Sequence, residues 1–120
     1  MNKRSVGSIY EQLAAEQLIN MGYSVLACNY RNRFGEIDII AKKGDIIAFV
    51  EVKTRRKNSL VTGEEAITRS KQAHIIRTAE RYLCGLDRPY ACRFDAAVVE
   101  TENNRAVKLK YYVSAFDASK

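Results

Sequence analysis

The stretch GEIDIIAKKGDIIAFVEVKTR, residues 35–55, decides the fold because it contains two strands and the turn that joins them. Isoleucine, alanine, valine and phenylalanine dominate the segments 36–42 and 45–54, and most of these side chains favour β-strands. Lys43-Gly44 separates the two segments and is typical of a tight hairpin turn. A further segment with strand composition, 23–31, precedes them, so we expect three consecutive strands in an antiparallel meander.

Two helices are predicted, one before this meander in the chain and one after it. From residue 5 to about residue 21, apolar residues recur at spacings of three and four, and Gly22 follows as a helix terminator. Thr62 and Glu65 form a capping-box pattern that predicts the start of a second helix, which runs to about residue 83. The residues expected on its apolar face are Ile75, Ile76, Ala79, Tyr82 and Leu83.

Segments 92–100 and 107–116 have the composition of strands and complete the predicted order α-β-β-β-α-β-β. This order predicts an α+β domain, within the broader α/β class, in which helices pack on a central mixed sheet. From the length of 120 residues we expect one domain, 1–120. The basic segment 55–63 lacks periodicity, and we interpret it as a mobile surface loop.

Composition indicates the class of partner. The net charge of +6 and the isoelectric point near 9.3 favour a polyanion, either nucleic acid or an anionic membrane surface. No apolar segment typical of a signal peptide follows Met1, and the longest apolar run, 46–50, is far too short to span a membrane. Cys28, Cys84 and Cys92 form no C-x-x-C pair, so we expect reduced, buried thiols in a cytoplasmic protein. We expect no membrane partner.

Glu51 and Lys53 interrupt the apolar pattern of the third predicted strand. Side chains alternate along a strand, so Phe49, Glu51 and Lys53 share one face, while Val50 and Val52 share the other. A carboxylate and an amine two residues apart can form an exposed salt bridge worth less than about 1 kcal/mol. For this triplet alone the salt-bridge interpretation is favoured, and the preceding strand changes the balance.

The preceding strand contributes two further acids. Alternation places Glu36 and Asp38 on one face and Ile37 with Ile39 on the other. The hairpin would bring these acids to Glu51 at the end away from the turn. A half-buried acid cluster is unfavourable unless a cation neutralises it, and hard oxygen ligands suit Mg²⁺ or Mn²⁺. The sequence therefore predicts a metal site with a lysine beside it.

Three other residues have interpretations that the sequence leaves open, and a fourth has one expected position. Glu11 lies in the apolar sector of the first helix, where it either completes the metal cluster or flanks the core and reaches outward. Gln72, on the inward face of the second helix, either holds a water or phosphate oxygen near the acids or caps a backbone group in the core. Asp95 is either a site residue or a partner of Arg93, with a structural role favoured. His74, the only histidine, is expected on the helix surface.

Four segments, in this order, resemble the motifs of the PD-(D/E)XK nuclease superfamily: GSIYE (7–11), GEIDIIA (35–41), FVEVKTR (49–55) and SKQ (70–72). Within it, the chain resembles the YraN-like family of small bacterial proteins, which is related in layout to archaeal Holliday-junction resolvases. The resemblance extends from Gly7 to about Val113 and implies a restriction-endonuclease-like α-β-β-β-α-β core. Ile37 stands where the proline of the superfamily's name would be, and Glu36 is an extra acid without an assigned role.

The resemblance implies a catalytic site. The residues that match its positions are Asp38 (the metal-binding aspartate), Glu51 (the second acid), Lys53 (the catalytic lysine), Glu11 (the first-helix glutamate) and Gln72 (a second-helix glutamine). The implied ligands of Mg²⁺ or Mn²⁺ are Asp38, Glu51 and the backbone carbonyl of Val52, with Glu11 acting directly or through water. The implied reaction is endonucleolytic hydrolysis of phosphodiester bonds in DNA, with Lys53 positioning the attacking water.

Basic residues near these segments are expected to bind DNA phosphates without reading bases. They are Arg31, Arg33, Arg55, Arg56, Lys57, Arg69 and Lys71. DNA is favoured over RNA, and the expected substrate is branched or otherwise structured DNA in repair or recombination. By analogy with resolvases, which cut two strands, we expect a homodimer. Two alternatives stay open: a nucleic-acid-binding adaptor that keeps the nuclease fold, and an interaction domain with a structural acid cluster.

Overall fold

The computed structural model describes residues 3–57 and 67–117, with side chains described from residue 9 onward. Helices and strands follow one another in the order α-β-β-β-α-β-β, as predicted. Their bounds are α1 Lys3–Asn20, β1 Ser24–Asn32, β2 Gly35–Lys43, β3 Ile46–Arg56, α2 Arg69–Cys84, β4 Ala91–Glu102 and β5 Arg105–Phe116. The predicted bounds of every strand are confirmed to within about two residues, which is the ordinary uncertainty of element ends.

The strands form one mixed sheet in the order β1-β2-β3-β4-β5. β1, β2 and β3 pair antiparallel, which confirms the predicted meander, and Gly44 makes the β2–β3 turn with a φ of 61°. β3 and β4 pair in parallel because the chain crosses back through α2, and β4 pairs antiparallel with β5. The predicted α+β fold with a central mixed sheet is confirmed.

The two helices pack on opposite faces of this sheet. Ile75 of α2 packs with Phe49 on the face that we call the α2 side, and Leu18 of α1 packs with Val50 on the α1 side. All the residues predicted for the apolar face of α2 belong to or pack against the α2-side core. Because both faces of the middle strands are covered, these strands contain nearly continuous apolar residues.

β3 alternates as predicted, and β2 alternates from Ile39 to Ala41 but departs from this pattern at Ile37. Ile37 lies in the α2-side core and Ile39 in the α1-side core, although strict alternation places both on one face. The pairing of β2 with β3 ends at Ile39 opposite Val50, so the residues before Ile39 are not held in a regular ladder with β3. The prediction that Ile37 and Ile39 share one face is therefore wrong, because strict alternation would require β2 to stay regularly paired with β3 through Asp38.

α2 begins later in the chain than the capping-box pattern predicts. Thr68 is its N-cap, and the Thr68 side chain accepts a hydrogen bond from the Lys71 backbone N–H at 3.1 Å. This N-cap lacks the acidic residue three positions later that completes a capping box. The sequence therefore indicated Thr62 and Glu65 more strongly than Thr68. Those two residues, with the rest of segment 58–66, lie outside the described residues. Arg55 and Arg56, predicted in a loop, belong instead to β3.

Two findings bear on the predicted cellular setting. Cys28, Cys84 and Cys92 are free thiols, but all three are exposed, so the expectation of buried thiols is wrong. Cys28 lies on an edge strand and Cys84 at the last residue of α2, where fewer neighbouring elements cover a side chain. Within residues 3–57 and 67–117, no helix combines the length and apolar character needed to cross a membrane.

Asp95 has the structural role that the sequence favours. It is fully buried on β4 and accepts hydrogen bonds from Arg93, from the Tyr111 hydroxyl at 2.6 Å and from the Ser114 backbone N–H at 2.9 Å. Arg93 also donates to the hydroxyl of Tyr23. Burial and the Asp95 carboxylate raise the pKa of Tyr111, which keeps this hydroxyl a donor. The cluster joins β4 to β5 and to the chain segment after α1.

We expect Asp95→Ala to lower the free energy of unfolding by about 3–5 kcal/mol, because it leaves Arg93 half-buried without its carboxylate. Urea unfolding followed by circular dichroism measures this change. Asp45→Ala is the matched control, since Asp45 also pairs with an arginine, Arg88 at 2.9 Å, but at an exposed site. Its cost should stay below about 1 kcal/mol. Equal losses in the two variants would contradict a structural role for the Asp95 cluster.

Candidate functional site

The candidate site begins where β2 and β3 separate. Beyond the pair formed by Ile39 and Val50, the Asp38 carboxylate replaces the missing backbone partner and accepts the Val52 N–H at 2.8 Å. A charged acceptor makes this hydrogen bond stronger than an ordinary backbone one. The bond fixes Asp38 beside the Glu51–Lys53 segment, and the separation of the strands leaves room for a pocket on the α2 side.

This pocket has a volume of about 360 Å³ and lies between the strand ends and the first turns of α2. Its lining residues are Glu36, Asp38, Glu51, Thr68, Ser70, Lys71, His74 and Ile75. The predicted convergence of acids from β2 and β3 is therefore present in the structure. Glu36 is at the exposed edge of the pocket, where it pairs with Arg31 at 3.1 Å.

Gly35 lets the β1–β2 hairpin approach α2 closely enough to close one side of the pocket. Its φ is +153°, a conformation that other residues rarely adopt. A Cβ at this position would lie 3.0 Å from Thr78 Oγ1 and 3.6 Å from His74 Cβ. The glycine thus sets how near Glu36, the next residue, comes to α2.

Glu51 is the least favourably placed carboxylate of the pocket. Its side chain is only 5% exposed, and its Oε2 accepts no hydrogen bond from the described part of the chain. The nearest cation is the Lys71 ammonium, whose Nζ is 3.5 Å from Oε2. Burial, and then the neighbouring Asp38, raise the pKa of Glu51 to about 8, although Lys71 and Lys53 oppose this shift. This carboxylate therefore lacks sufficient positive charge in its surroundings.

Two lysines share the region around Glu51. Burial and the nearby Lys71 ammonium lower the pKa of Lys53, so its amine loses a proton more easily than an exposed lysine does. Burial also disfavours the charge of Lys71, but Glu51 and Asp38 outweigh it and raise the Lys71 pKa. The two amines are thus differentiated: Lys71 acts as the counterion, and Lys53 is the amine closer to proton exchange.

The donor set fits a hard divalent cation in part. Asp38 and Glu51 supply carboxylate oxygens, and the unsatisfied Glu51 Oε2 is the atom that a cation would stabilise. Among the described residues, no three Asp, Glu, His or Cys side chains are arranged as a metal-binding group. Burial raises the pKa of Glu11, and the nearby Asp38 carboxylate raises it further. A hydrogen bond with Asn29 opposes this shift. It does not join Asp38 and Glu51 in a three-ligand group.

Gln72 and most of the predicted phosphate-binding residues lie outside this pocket. The Gln72 amide donates to the Ile67 backbone carbonyl at 3.0 Å, the capping arrangement that the sequence left open, and lines a separate cavity with Arg69. Arg33 stacks on the ring of Phe34, 4.9 Å from its centroid. Lys57 pairs with Glu102 at 3.2 Å, and Arg56 lines the cavity near the β4–β5 turn. Of the seven predicted residues, Lys71 is the one that lines the acid pocket.

Three pocket residues have no assigned role in the sequence-based prediction. His74 is exposed, as expected of a helix-surface residue, but the surface that it occupies is the wall of the acid pocket. Ser70 and Thr68 line the same wall. The signal in the sequence is the i, i+3 and i, i+4 spacing of His74 from Lys71 and Ser70, which places them on one side of α2.

The fold and site define an α+β protein with a central mixed sheet and a carboxylate–lysine pocket where β2 and β3 separate. Residues 10–99 match the uncharacterised protein family UPF0102, and the chain belongs to this family. A UPF0102 protein of Symbiobacterium thermophilum is 44% identical over 116 residues, covering 96% of this chain and 98% of its own length. Another, from Nitrosomonas europaea, is 41% identical and covers 94% of both chains. A third, from Lachnoclostridium phytofermentans, is 44% identical and covers 98% of both.

The raised pKa of Glu51 predicts how stability depends on pH. The folded protein binds the Glu51 proton up to about pH 8, whereas the unfolded chain releases it near the ordinary glutamate pKa of 4.5. This group therefore favours folding below about pH 4.5, and that contribution is lost as the pH rises through about 8. We expect Glu51→Gln, which cannot ionise, to lose less stability than the wild type between about pH 5 and pH 9.

Urea unfolding in the presence of chelator, repeated across this pH range, measures the difference. Glu16→Gln removes one carboxylate from an exposed position of α1 and is the matched control. If the stability of Glu51→Gln depends on pH in parallel with that of the wild type, the pKa of Glu51 is not raised in the folded protein.

Proposed function

We propose that this protein is a Mg²⁺- or Mn²⁺-dependent endonuclease that hydrolyses phosphodiester bonds in DNA, with branched or otherwise structured DNA as its substrate in repair or recombination. The observation that carries the proposal is Glu51, a buried carboxylate with an unsatisfied oxygen, next to Asp38 and between two lysines. With this function we propose that the protein is a member of the PD-(D/E)XK superfamily. The support is the confirmed order of elements together with the proximity of Asp38, Glu51 and Lys53 to one another.

In this proposal the cation would be held by Asp38 and Glu51, with the Val52 carbonyl as a further oxygen ligand. The chemistry supplied by a bound Mg²⁺ or Mn²⁺ would be polarisation of the scissile phosphate and a lower pKa for a bound water. Asp38 keeps its orientation through the Val52 N–H, which occupies one of its oxygens. Lys53, whose pKa is lowered, can orient the attacking water and exchange a proton at Nζ. Glu11 would act through water.

Charge supports a nucleic-acid substrate. The chain carries a net charge of +6. Lys71 lines the pocket, and Lys53, although it does not line it, is near enough to Glu51 to lower the pKa of that carboxylate. Contacts of this type bind phosphates with little dependence on base sequence. We place the activity in the cytoplasm, in keeping with three free thiols. A homodimer, in analogy with resolvases, stays a prediction.

One observation favours a second candidate function, a nucleic-acid-binding adaptor that does not cut. The Lys71 ammonium already lies 3.5 Å from Glu51, and the described residues bring together no three-ligand group for a metal. If Lys71 remains the permanent counterion of Glu51, the pocket is a structural acid cluster beside a basic surface. The adaptor would bind DNA with salt dependence but would cleave none.

Cleavage of labelled linear, nicked, flap, single-stranded and four-way-junction DNA tests the two candidates. The assay is run with Mg²⁺, with Mn²⁺ and with chelator. We expect metal-dependent cutting by the wild type. Lys53→Met and Asp38→Asn should each reduce the cleavage rate by about 100-fold or more while leaving binding intact, because they remove proton transfer or metal binding.

Lys42→Met is the matched control because Lys42 lies on β2 next to the turn, at the opposite end of the sheet from Lys53. Its cleavage rate should equal that of the wild type. Binding without cleavage under every metal condition would replace the nuclease with the adaptor. Cleavage that persists in both Lys53→Met and Asp38→Asn would place the activity elsewhere or in a contaminant.

A further inference from the structure

A second group of basic residues lies on the same face of the sheet as the acid pocket. In the strand register, Lys53 of β3 is opposite Val98 of β4, which is opposite Lys110 of β5. The next row on this face is formed by Arg55, Glu100 and Lys108. The two rows extend from the pocket across β4 to the edge strand β5.

The packing of neighbouring residues establishes the side on which these rows lie. Residues paired across strands point to the same face of a sheet, and the face alternates along each strand. Ala96 of β4 lies in the α2-side core, and Tyr112, its partner on β5, packs against that core. Lys110 and Lys108 follow at intervals of two from Tyr112, so they too lie on the α2 side, as the pocket does.

Glu100 links the two rows and fixes two of the cations. It is almost buried, and its Oε2 is 3.6 Å from the Arg55 guanidinium and 3.4 Å from the Lys110 ammonium. Arg55, Lys108 and Lys110 outnumber this one carboxylate, so the rows keep a net positive charge. Holding Arg55 and Lys110 through a shared acid reduces the side-chain entropy lost when they bind an anion.

The dimensions suit the backbone of a nucleic-acid strand. Neighbouring strands are about 4.8 Å apart, so Lys110 is roughly 10 Å from Lys53 across the sheet. Lys108 is about 7 Å further along β5, at roughly 3.4 Å per residue. The separation between Lys53 and Lys110 lets them contact different phosphates of one nucleic-acid strand.

We propose that Lys108 and Lys110, supported by Arg55 and Glu100, form a track that binds the sugar–phosphate backbone of nucleic acid where it enters or leaves the Asp38–Glu51 pocket. This inference rests on the proposed nuclease function and adds the direction in which the bound strand runs: across β4 towards β5. A nucleic-acid strand fits better than an anionic membrane surface, because the rows lead directly into the pocket and do not form a separate patch. The track contacts phosphates, so binding is independent of base sequence.

The experiment compares two double variants that each remove two positive charges, Lys108→Gln/Lys110→Gln and the control Lys42→Gln/Lys43→Gln at the opposite end of the sheet. Binding to a labelled DNA duplex is measured with chelator between about 50 and 200 mM KCl. For Lys108→Gln/Lys110→Gln we expect the slope of log affinity against log salt to decrease in magnitude by about 2, since each lost phosphate contact removes about 0.9. The control should keep the wild-type slope.

Circular dichroism verifies the fold of each variant. Lys108→Gln alone, at an exposed position, should reduce the magnitude of the slope by about 1. This single variant therefore tests the track even if substitution of Lys110 disturbs folding. Equal slopes in the two double variants would overturn the track. A wild type that binds phosphatidylserine-containing vesicles but no DNA would also overturn it, in favour of a membrane surface.

Cleavage kinetics separate this inference from the proposed function. If the wild type cuts DNA, Lys108→Gln/Lys110→Gln should raise KM with little change in kcat, because the track binds substrate without taking part in the chemistry. An unchanged KM would overturn the track while leaving the nuclease in place. If the wild type binds DNA with the expected salt slopes but does not cut, the track stands and the nuclease proposal fails.

Discussion

The hydrogen bond from the Val52 N–H to the Asp38 carboxylate is the constraint on which the site depends. It forms at the point where β2 and β3 stop pairing, so one side chain both satisfies the freed amide and keeps the separated strands at a fixed distance. The separation creates the pocket, and the bond keeps Asp38 next to Glu51 inside it. The departure of β2 from regular alternation occurs at the same place, because an irregular strand end allows Ile37 to pack towards α2.

Two buried acids of this fold differ in how well their surroundings compensate their charge. Asp95 accepts hydrogen bonds from a guanidinium, a hydroxyl and a backbone amide, so its charge is fully compensated. Glu51 is almost as buried, but its Oε2 has no hydrogen-bond donor among the described residues, and a second carboxylate is beside it. Burying a carboxylate without enough partners disfavours its charged form, which is why the pKa of Glu51 is raised. The same physical rule thus explains the structural role of Asp95 and the place of Glu51 at the centre of the proposed site.

The α2 side of the sheet contains the residues of the proposed site and of the proposed track. α2 covers the apolar part of this face, and its first turns bring Lys71 to the exposed end of that core. Past the pocket, the face continues as the rows that contain Lys108 and Lys110. The α1 side contributes mainly packing, through residues such as Leu18, and Glu11 of α1 is near enough to Asp38 for the two carboxylates to interact.

Local patterns in the sequence determined the order of the elements, the β2–β3 hairpin and the alternation of β3, because each depends on neighbours within a few residues. They also determined that Asp38, Glu51 and Lys53 would meet, since one short turn joins their strands. Only the tertiary structure decided that Lys71 is the counterion of Glu51, that His74 lines the pocket, that Gln72 lies outside it and that Arg55 is bound to Glu100. It likewise decided that Lys110 aligns with Lys53. These contacts join residues distant in the chain, so they depend on the placement of α2 and on the registers of β4 and β5, which no local period encodes.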